Sequence, residues 1–438
     1  MRKILPSIGI LLTTMVLNTS VANASEAPTA FGCSGIEDST VLRAIEGKDG
    51  FFFRILADLR MLHPFTDQTA EKLAVLSRYL EEQGTTLIYV PVPTKSMSMP
   101  EWLPPRAELY GYDKNIAEDA YNLIVERLEK RFVKTTDLVP AFREIAVDTP
   151  PFFQADFHWT SAGARAAAKL VADIIKSTDG YDDLDKVQSE TVSLGELPQF
   201  SGMRLTLQAQ CEDSLPEAVT TGYETTTLEL ESEDASLDLF GDDTSNLVSL
   251  IGTSFSDSDV NNFAGFIQEY SGLPVYNYAI TGGNQFGAII SYLTSTEFQE
   301  SRPRFIVWEN PIYNNLSQYS DGPWTEILAS AKNDCSVNVP FEISDDRKTL
   351  VANVDGMELG EEFSILADAK REGARKVGFT LSDGEYQRSR TITRQDRLRA
   401  TGRFFIKTNS LGDYDWNSLT VNFDKPVSAS AEIRLCSI

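Results

Sequence analysis

Apolar, β-branched runs that alternate with helix-period stretches restrict this chain to a narrow set of folds. The runs are Leu87-Ile88-Tyr89-Val90, Leu247–Ile251, Val275–Ile280 and Arg304–Glu309, with a shorter one at 136–139. Between them, residues 67–83 carry Leu73, Leu76 and Leu80 at helical spacing and end at Gly84, and residues 114–130, 160–175, 260–270 and 286–298 repeat the pattern. Strands that are apolar throughout need cover on both faces, and strands alternating with helices predict a mainly parallel sheet with helices on either side. In such sheets ligands bind beyond the carboxyl ends of the strands. Ser254, Gly282 to Asn284 and Tyr313 all follow predicted strands, so one edge of the sheet should collect them.

The pattern breaks twice. Residues 181–246 read as a β-rich insertion of short segments with Thr, Ser and acids, and its acid-dense part, 229–243, reads as a solvated face. From Cys335 onward helical periodicity is absent, and alternations such as Arg403-Phe404-Phe405-Ile406-Lys407 and Ser418–Phe423 predict a small β-sandwich over 335–438. The predicted organisation is therefore a leader at 1–24, an α/β domain at 25–334 and the sandwich. The leader has Arg2 and Lys3, an apolar core and Val21-Ala22-Asn23-Ala24 as a small-x-small cleavage site, which predicts export to the periplasm.

Export makes the cysteines meaningful. Cys33, Cys211, Cys335 and Cys436 form no C-x-x-C or Cys/His cluster, so zinc is not expected and disulfides are. Three pairings exist; Cys33 with Cys211 and Cys335 with Cys436 is preferred because it ties each predicted domain to itself. No D-x-D-x-D-G loop suggests calcium, and Gly282–Gly287 fits no nucleotide-binding pattern, so neither metal nor cofactor is expected. The net charge of −25 is uneven: 335–438 holds 15 basic and 16 acidic residues, the remainder 24 and 48. An acidic surface of that size argues against nucleic acid.

Chemistry concentrates around one of only two histidines, in Phe152-Phe153-Gln154-Ala155-Asp156-Phe157-His158-Trp159-Thr160. A carboxylate two residues from an imidazole can hold its tautomer and stabilise its protonated form, which makes His158 a candidate base and Asp156 its orienter. The candidate nucleophile is Ser254, in Leu250-Ile251-Gly252-Thr253-Ser254-Phe255-Ser256, where an apolar run delivers a hydroxyl to the sheet rim. Oxyanion donors would be the Ser254 N–H with Gly283, Asn284 or the Tyr313 hydroxyl. Lys95, in a loop after a predicted strand, would face an acyl donor or a polyanion. His63, beside Pro64, reads as structural. In the sandwich, 386–410 holds seven basic residues and one acid; of these Arg390, Arg394, Arg397 and Arg399 suit the carboxylates of a sugar polymer, and Tyr414 and Trp416 suit sugar faces.

Taken together, Gly47-Lys48-Asp49-Gly50, Asp156-Phe157-His158-Trp159-Thr160, Gly252-Thr253-Ser254-Phe255-Ser256, Asn261–Phe266, Tyr292-Leu293 and Ile306-Val307-Trp308-Glu309-Asn310-Pro311 resemble the periplasmic alginate O-acetyltransferases of the AlgX/AlgJ type, over nearly the whole chain after the leader. The two-domain AlgX form is the closer match. The resemblance implies an SGNH-hydrolase-like domain followed by a carbohydrate-binding module, and it carries the family's Asp-x-His onto Asp156 and His158, its nucleophile onto Ser254 and its tyrosine onto Tyr313. It further implies an acetyl-serine intermediate, an exported anionic polysaccharide such as alginate as acceptor, and an acetyl donor from membrane-bound partners. An acetyl esterase with the same triad and a non-catalytic polymer-binding scaffold are the alternative readings.

Overall fold

The computed structural model describes residues 29–228, 247–357, 359–360, 362–412 and 415–438. The predicted leader, the acidic stretch 229–243 and Tyr414 lie outside the described residues.

The predicted apolar runs form one five-stranded sheet, in the order Lys134–Thr135, Thr86–Val92, Phe305–Pro311, Val248–Ile251, Val275–Asn277, with every neighbouring pair parallel. All positions of Phe305–Pro311 and Val248–Ile251 are buried, as both pleat faces are covered. Two groups of helices supply that cover. One comprises Leu138–Ile145, Ser161–Lys176 and Phe263–Ser271, and the other Asp67–Glu81, Asn284–Leu293 and Gly322–Lys332. Residues 138–145 correct the expectation of a strand at 136–139: only Lys134–Thr135 pairs with the sheet, and the chain then turns helical from Leu138.

The β-rich insertion is one long antiparallel hairpin, Ser189–Pro198 with Val219–Thr227, carrying the short helix Gly202–Gln208 at its tip. The Cys33–Cys211 disulfide fastens that tip to the start of the described chain. A small apolar cluster of Ile36, Phe52, Ala155, Met203 and Leu207 sits with it, so the clasp lies beneath the loop that carries Asp156.

From Val337 onward the chain forms two antiparallel sheets of four and five strands that share a core of Val377, Phe379, Leu381, Phe404, Val421 and Ile433. This is the predicted β-sandwich, and Cys335–Cys436 joins its entry to its last strand. Trp416 belongs to this core at 4% exposure, which corrects its assignment to a sugar-binding face: its ring fills the sandwich and its indole N–H donates to the Gly412 carbonyl at 3.3 Å.

The sandwich docks on the α/β part through the helix Gly322–Lys332, which packs on the strand Arg403–Lys407. Arg394, buried, pairs there with buried Glu326 at 2.6 Å and donates to the Arg403 carbonyl. Arg399 reaches across to Glu297 at 2.5 Å, and Arg397 donates to the Thr281 carbonyl at 3.0 Å. Two of the four arginines expected to bind polymer, Arg394 and Arg399, are thus occupied with carboxylates of their own chain. Removing one member of a buried ion pair strands the other charge. Arg394→Ala or Glu326→Ala should therefore lower unfolding stability by about 3 kcal/mol, and Arg394→Met with Glu326→Leu by clearly less. Denaturant unfolding of the single and double variants measures both quantities.

Candidate active site

Two loops build the site. The first, Phe152 to Thr160, closes on itself through the Phe152–Trp159 bridge, the Phe153 N–H to the His158 carbonyl, and the Thr160 N–H to the Pro151 carbonyl. Thr160 then caps Ser161–Lys176, its hydroxyl accepting from the Gly163 N–H. The second loop follows Val248–Ile251. Gly252 is required there, since a Cβ would lie 2.5 Å from Glu309 Oε2. The Trp159 indole N–H crosses between the loops to the Phe255 carbonyl at 2.7 Å, and the rings of His158 and Phe255 stand 4.9 Å apart.

That clamp sets Ser254 Oγ 2.7 Å from His158 Nε2, while His158 Nδ1 lies 2.6 Å from Asp156 Oδ1. Asp156 is buried, and burial alone would raise its pKa. Hydrogen bonds from the His158 ring, that ring's charge, the Ser201 hydroxyl and the His158 N–H outweigh burial and hold it below the usual carboxylate range. An ionised Asp156 only accepts, so Nδ1 carries the imidazole proton and Nε2 is left to accept from the Ser254 hydroxyl. The three side chains thus lie in line, with the carboxylate set to orient the imidazole and the imidazole set to take the hydroxyl proton, the geometry that acyl transfer through a serine requires.

Residues 44–312 match the family described as the SGNH hydrolase-like domain, acetyltransferase AlgX. The chain belongs to the AlgX family. Among curated relatives, the alginate biosynthesis protein AlgX of Pseudomonas aeruginosa is 29% identical over 77% of this chain and 69% of its own length. That of Pseudomonas fluorescens is 30% identical over 90% and 83%. Among solved structures, Pseudomonas aeruginosa AlgX superposes with a TM-score of 0.73 at 22% identity, covering 90% of this chain and 94% of that one, which extends the shared fold across both the α/β part and the sandwich.

As an AlgX-family site, this one departs from the sequence reading at several expected positions. Gly283 and Asn284 lie in the loop beside the nucleophile turn, where the Ile280 N–H meets the Gly252 carbonyl and the Thr281 N–H meets Asp257. The Gly283 N–H is already donated to the Ile280 carbonyl, and Asn284 Oδ1 accepts from the Phe286 N–H, so the Gly283 main chain and the Asn284 amide oxygen serve the start of their own helix. Tyr313 stands with its ring 4.6 Å from the Arg54 guanidinium, which also lies 4.2 Å from the Phe157 ring, and the Phe157 ring packs at a tilt against His158 with centroids 4.1 Å apart. Burial raises the Tyr313 pKa against the pull of Arg54, keeping a neutral hydroxyl that can donate. Lys95 is buried with its ammonium facing four backbone carbonyls, so it meets neither donor nor polymer. His63 fits the structural reading: burial, then Arg60, pulls its pKa down to about 4.

Three contributors escaped sequence reasoning. Ser201 caps Gly202–Gln208 and gives its hydroxyl to Asp156 Oδ2 at 2.5 Å. Arg54 is held by Asp58 through its main-chain N–H and two guanidinium nitrogens. Glu309, inside the Phe305–Pro311 strand, accepts from the Thr253 N–H at 2.8 Å, the Thr253 hydroxyl at 3.0 Å and the Ser256 hydroxyl at 2.9 Å, and so fixes both sides of Ser254. Its place in the Trp308-Glu309 pair was the only available signal, since an acid inside an apolar strand needs an internal partner.

Burial raises Glu309 from 4.5 to about 7 despite its donors. A carboxyl with a raised folded pKa is favoured when protonated, so its contribution to stability is fully present below about pH 4.5 and is lost as pH rises through about 7. Relative to Glu309→Gln, wild-type stability should fall by about 3 kcal/mol across that window. The variant should also slow labelling of Ser254 by a sulfonyl fluoride by at least about tenfold, because one of the two acceptor oxygens becomes a donor. Unfolding titrations at several pH values and peptide mass mapping read the two effects.

Proposed function

We propose that this protein is an O-acetyltransferase of an exported anionic polysaccharide, alginate or a similar polyuronate. The observation that carries the reading is the Ser254–His158–Asp156 relay, with contacts of 2.7 and 2.6 Å, in a chain of the AlgX family. His158 Nε2 takes the Ser254 proton as Oγ attacks the donor's acetyl carbonyl. The donor's leaving group departs with that proton, and acetyl-Ser254 remains. A sugar hydroxyl then loses its proton to His158 and attacks the acyl carbon; the bond from that carbon to Ser254 Oγ breaks, His158 returns the proton to Oγ, and the acetylated polymer is released. The Tyr313 hydroxyl, kept neutral, and the Ser254 N–H are the oxyanion donors in this scheme.

The acidic composition of the α/β part fits poorly with a polyanion, so the acceptor approaches from the sandwich side. Arg390 lines a groove of about 430 Å³ between the two parts, together with Tyr319, Gln395 and Lys407, and Arg397 is exposed at its Thr281 contact. With Arg394 and Arg399 engaged internally, Arg390 and Arg397 carry polymer recognition. A membrane-bound partner supplies the acetyl group. Periplasmic residence is supported by two disulfides, and no described helix is long and apolar enough to cross a membrane.

The test is partition of the acyl group. Incubation with an activated acetyl ester and oligomannuronate should add the mass of acetyl to the sugar, and Ser254→Ala should abolish that product while binding persists. Acetate without modified sugar would make the protein an esterase, and unchanged acetylation by Ser254→Ala would remove the enzyme reading. Arg390→Ala should weaken oligouronate binding about fivefold, roughly 1 kcal/mol for one charge-assisted contact, and leave turnover of a small acetyl ester unchanged.

A further inference from the structure

Lys95 presents a physical problem that the reaction scheme leaves unsolved. Its residue is 1% exposed, at the start of a four-residue helix beyond the Thr86–Val92 strand. Its Nζ lies 2.9 Å from the carbonyl of Phe52, 2.5 Å from that of Phe153, 2.6 Å from that of Gln154 and 3.0 Å from that of Asp156. The rings of Phe51 and Phe53 stand 5.1 and 5.3 Å away and present their faces to the charge. An ammonium has three N–H groups, and here four oxygens share them.

Three of those carbonyls belong to the loop that delivers the base. The carbonyls of Phe153, Gln154 and Asp156 turn inward onto one point, an arrangement that repels itself unless a cation occupies that point. The next side chain after the last of these carbonyls is Phe157, and then comes His158. The carboxylate of Asp156 is fixed from one side by Ser201 and His158, while its main chain is fixed from the other by Lys95. The remaining charged groups around the ammonium are Asp58 and Asp156, which favour it, and Arg54, which opposes it.

We infer that Lys95 is a positioning residue for the catalytic relay: a built-in cation around which the Phe153–Asp156 backbone folds, so that Asp156 and His158 are held at hydrogen-bonding distance from Ser254. The inference rests on the proposed acyl-transfer reading of that relay. A displacement of about 1 Å in a reacting group costs about 100-fold in rate, and a neutral side chain at this point takes a donor from each of these carbonyls, leaving that of Gln154 with only the Phe52 N–H at 2.9 Å. Burial also pulls the ammonium's pKa down to about 7, against the attraction of Asp58 and Asp156, so the cage holds its cation less firmly as pH rises.

The experiment uses the full chain with two variants, Lys95→Met and Lys95→Ala, and a small acetyl ester as substrate. Both variants should lower kcat by about 100-fold with KM within about twofold, because the base is misplaced while the ester still binds. Lys95→Ala should recover activity in n-propylammonium chloride, which replaces the lost stem and charge, but not in tetramethylammonium chloride, which has no N–H to donate. The low-field proton resonance of the His158 Nδ1 hydrogen bond should weaken in both variants and return with n-propylammonium.

A folded Lys95→Met with kcat within about twofold of wild type would overturn the proposal. Loss of activity with the His158 resonance unchanged would do the same, as would failure of both variants to fold even with n-propylammonium, which would make Lys95 a folding residue only. Wild-type protein that neither turns over the ester nor acquires acetyl on Ser254 would instead defeat the acyl-transfer reading, and the His158 resonance would still report on Lys95.

Discussion

The site depends on one bond between two loops that are almost a hundred residues apart in sequence. The Trp159 indole donates to the carbonyl of Phe255, and each of those residues is the immediate neighbour of a member of the relay. A hydrogen bond at 2.7 Å with both partners buried leaves little room for sliding, and the surrounding rings of Phe142, Phe157, Phe255 and Phe263 close the remaining freedom. His158 and Ser254 therefore meet because their neighbours cannot separate. The parallel sheet supplies the second half of this constraint, since it ends the Val248–Ile251 and Phe305–Pro311 strands side by side and lets Glu309 reach the turn around Ser254.

Around this bond the fold concentrates polar groups that would be costly elsewhere. Asp156, Glu309, Arg54 and Lys95 lie within the α/β part, each answered by fixed donors or acceptors of the protein. Such preorganised polar surroundings give a reacting serine a field that needs no rearrangement as charge develops. The β-hairpin insertion belongs to the same scheme. Its tip helix brings Ser201 to Asp156, and Cys33–Cys211 holds that tip in place, so a segment that looks peripheral in the chain supports the acid end of the relay.

Much of this was readable in the sequence because its signals are local. Continuous apolar runs gave the buried strands, heptad-like leucines gave the helix over Asp67–Glu81, and an acid two residues before a histidine gave Asp156 and His158. Both disulfide pairings emerge as expected. What escaped were side chains whose meaning lies in a distant partner. Lys95, in a loop after a strand, reads as facing an acyl donor or a polyanion until the Phe153, Gln154 and Asp156 carbonyls close over it. Arg394 sits in a basic run that suggests a polymer, yet Glu326 in another part of the chain claims it. Trp416 follows a polar loop but points into the sandwich core. Composition counts charges and rings; only packing decides which of them face water.

The central claim is that Ser254 carries the acyl group and that His158 puts it there. The most direct measurement is rapid quenching of the protein with an activated acetyl ester, followed by peptide mapping that locates the added mass. Acetyl on Ser254 in the wild type, and its disappearance in His158→Gln at matched folding, is the predicted result. Acetyl distributed over surface lysines with Ser254 unmodified would contradict the account.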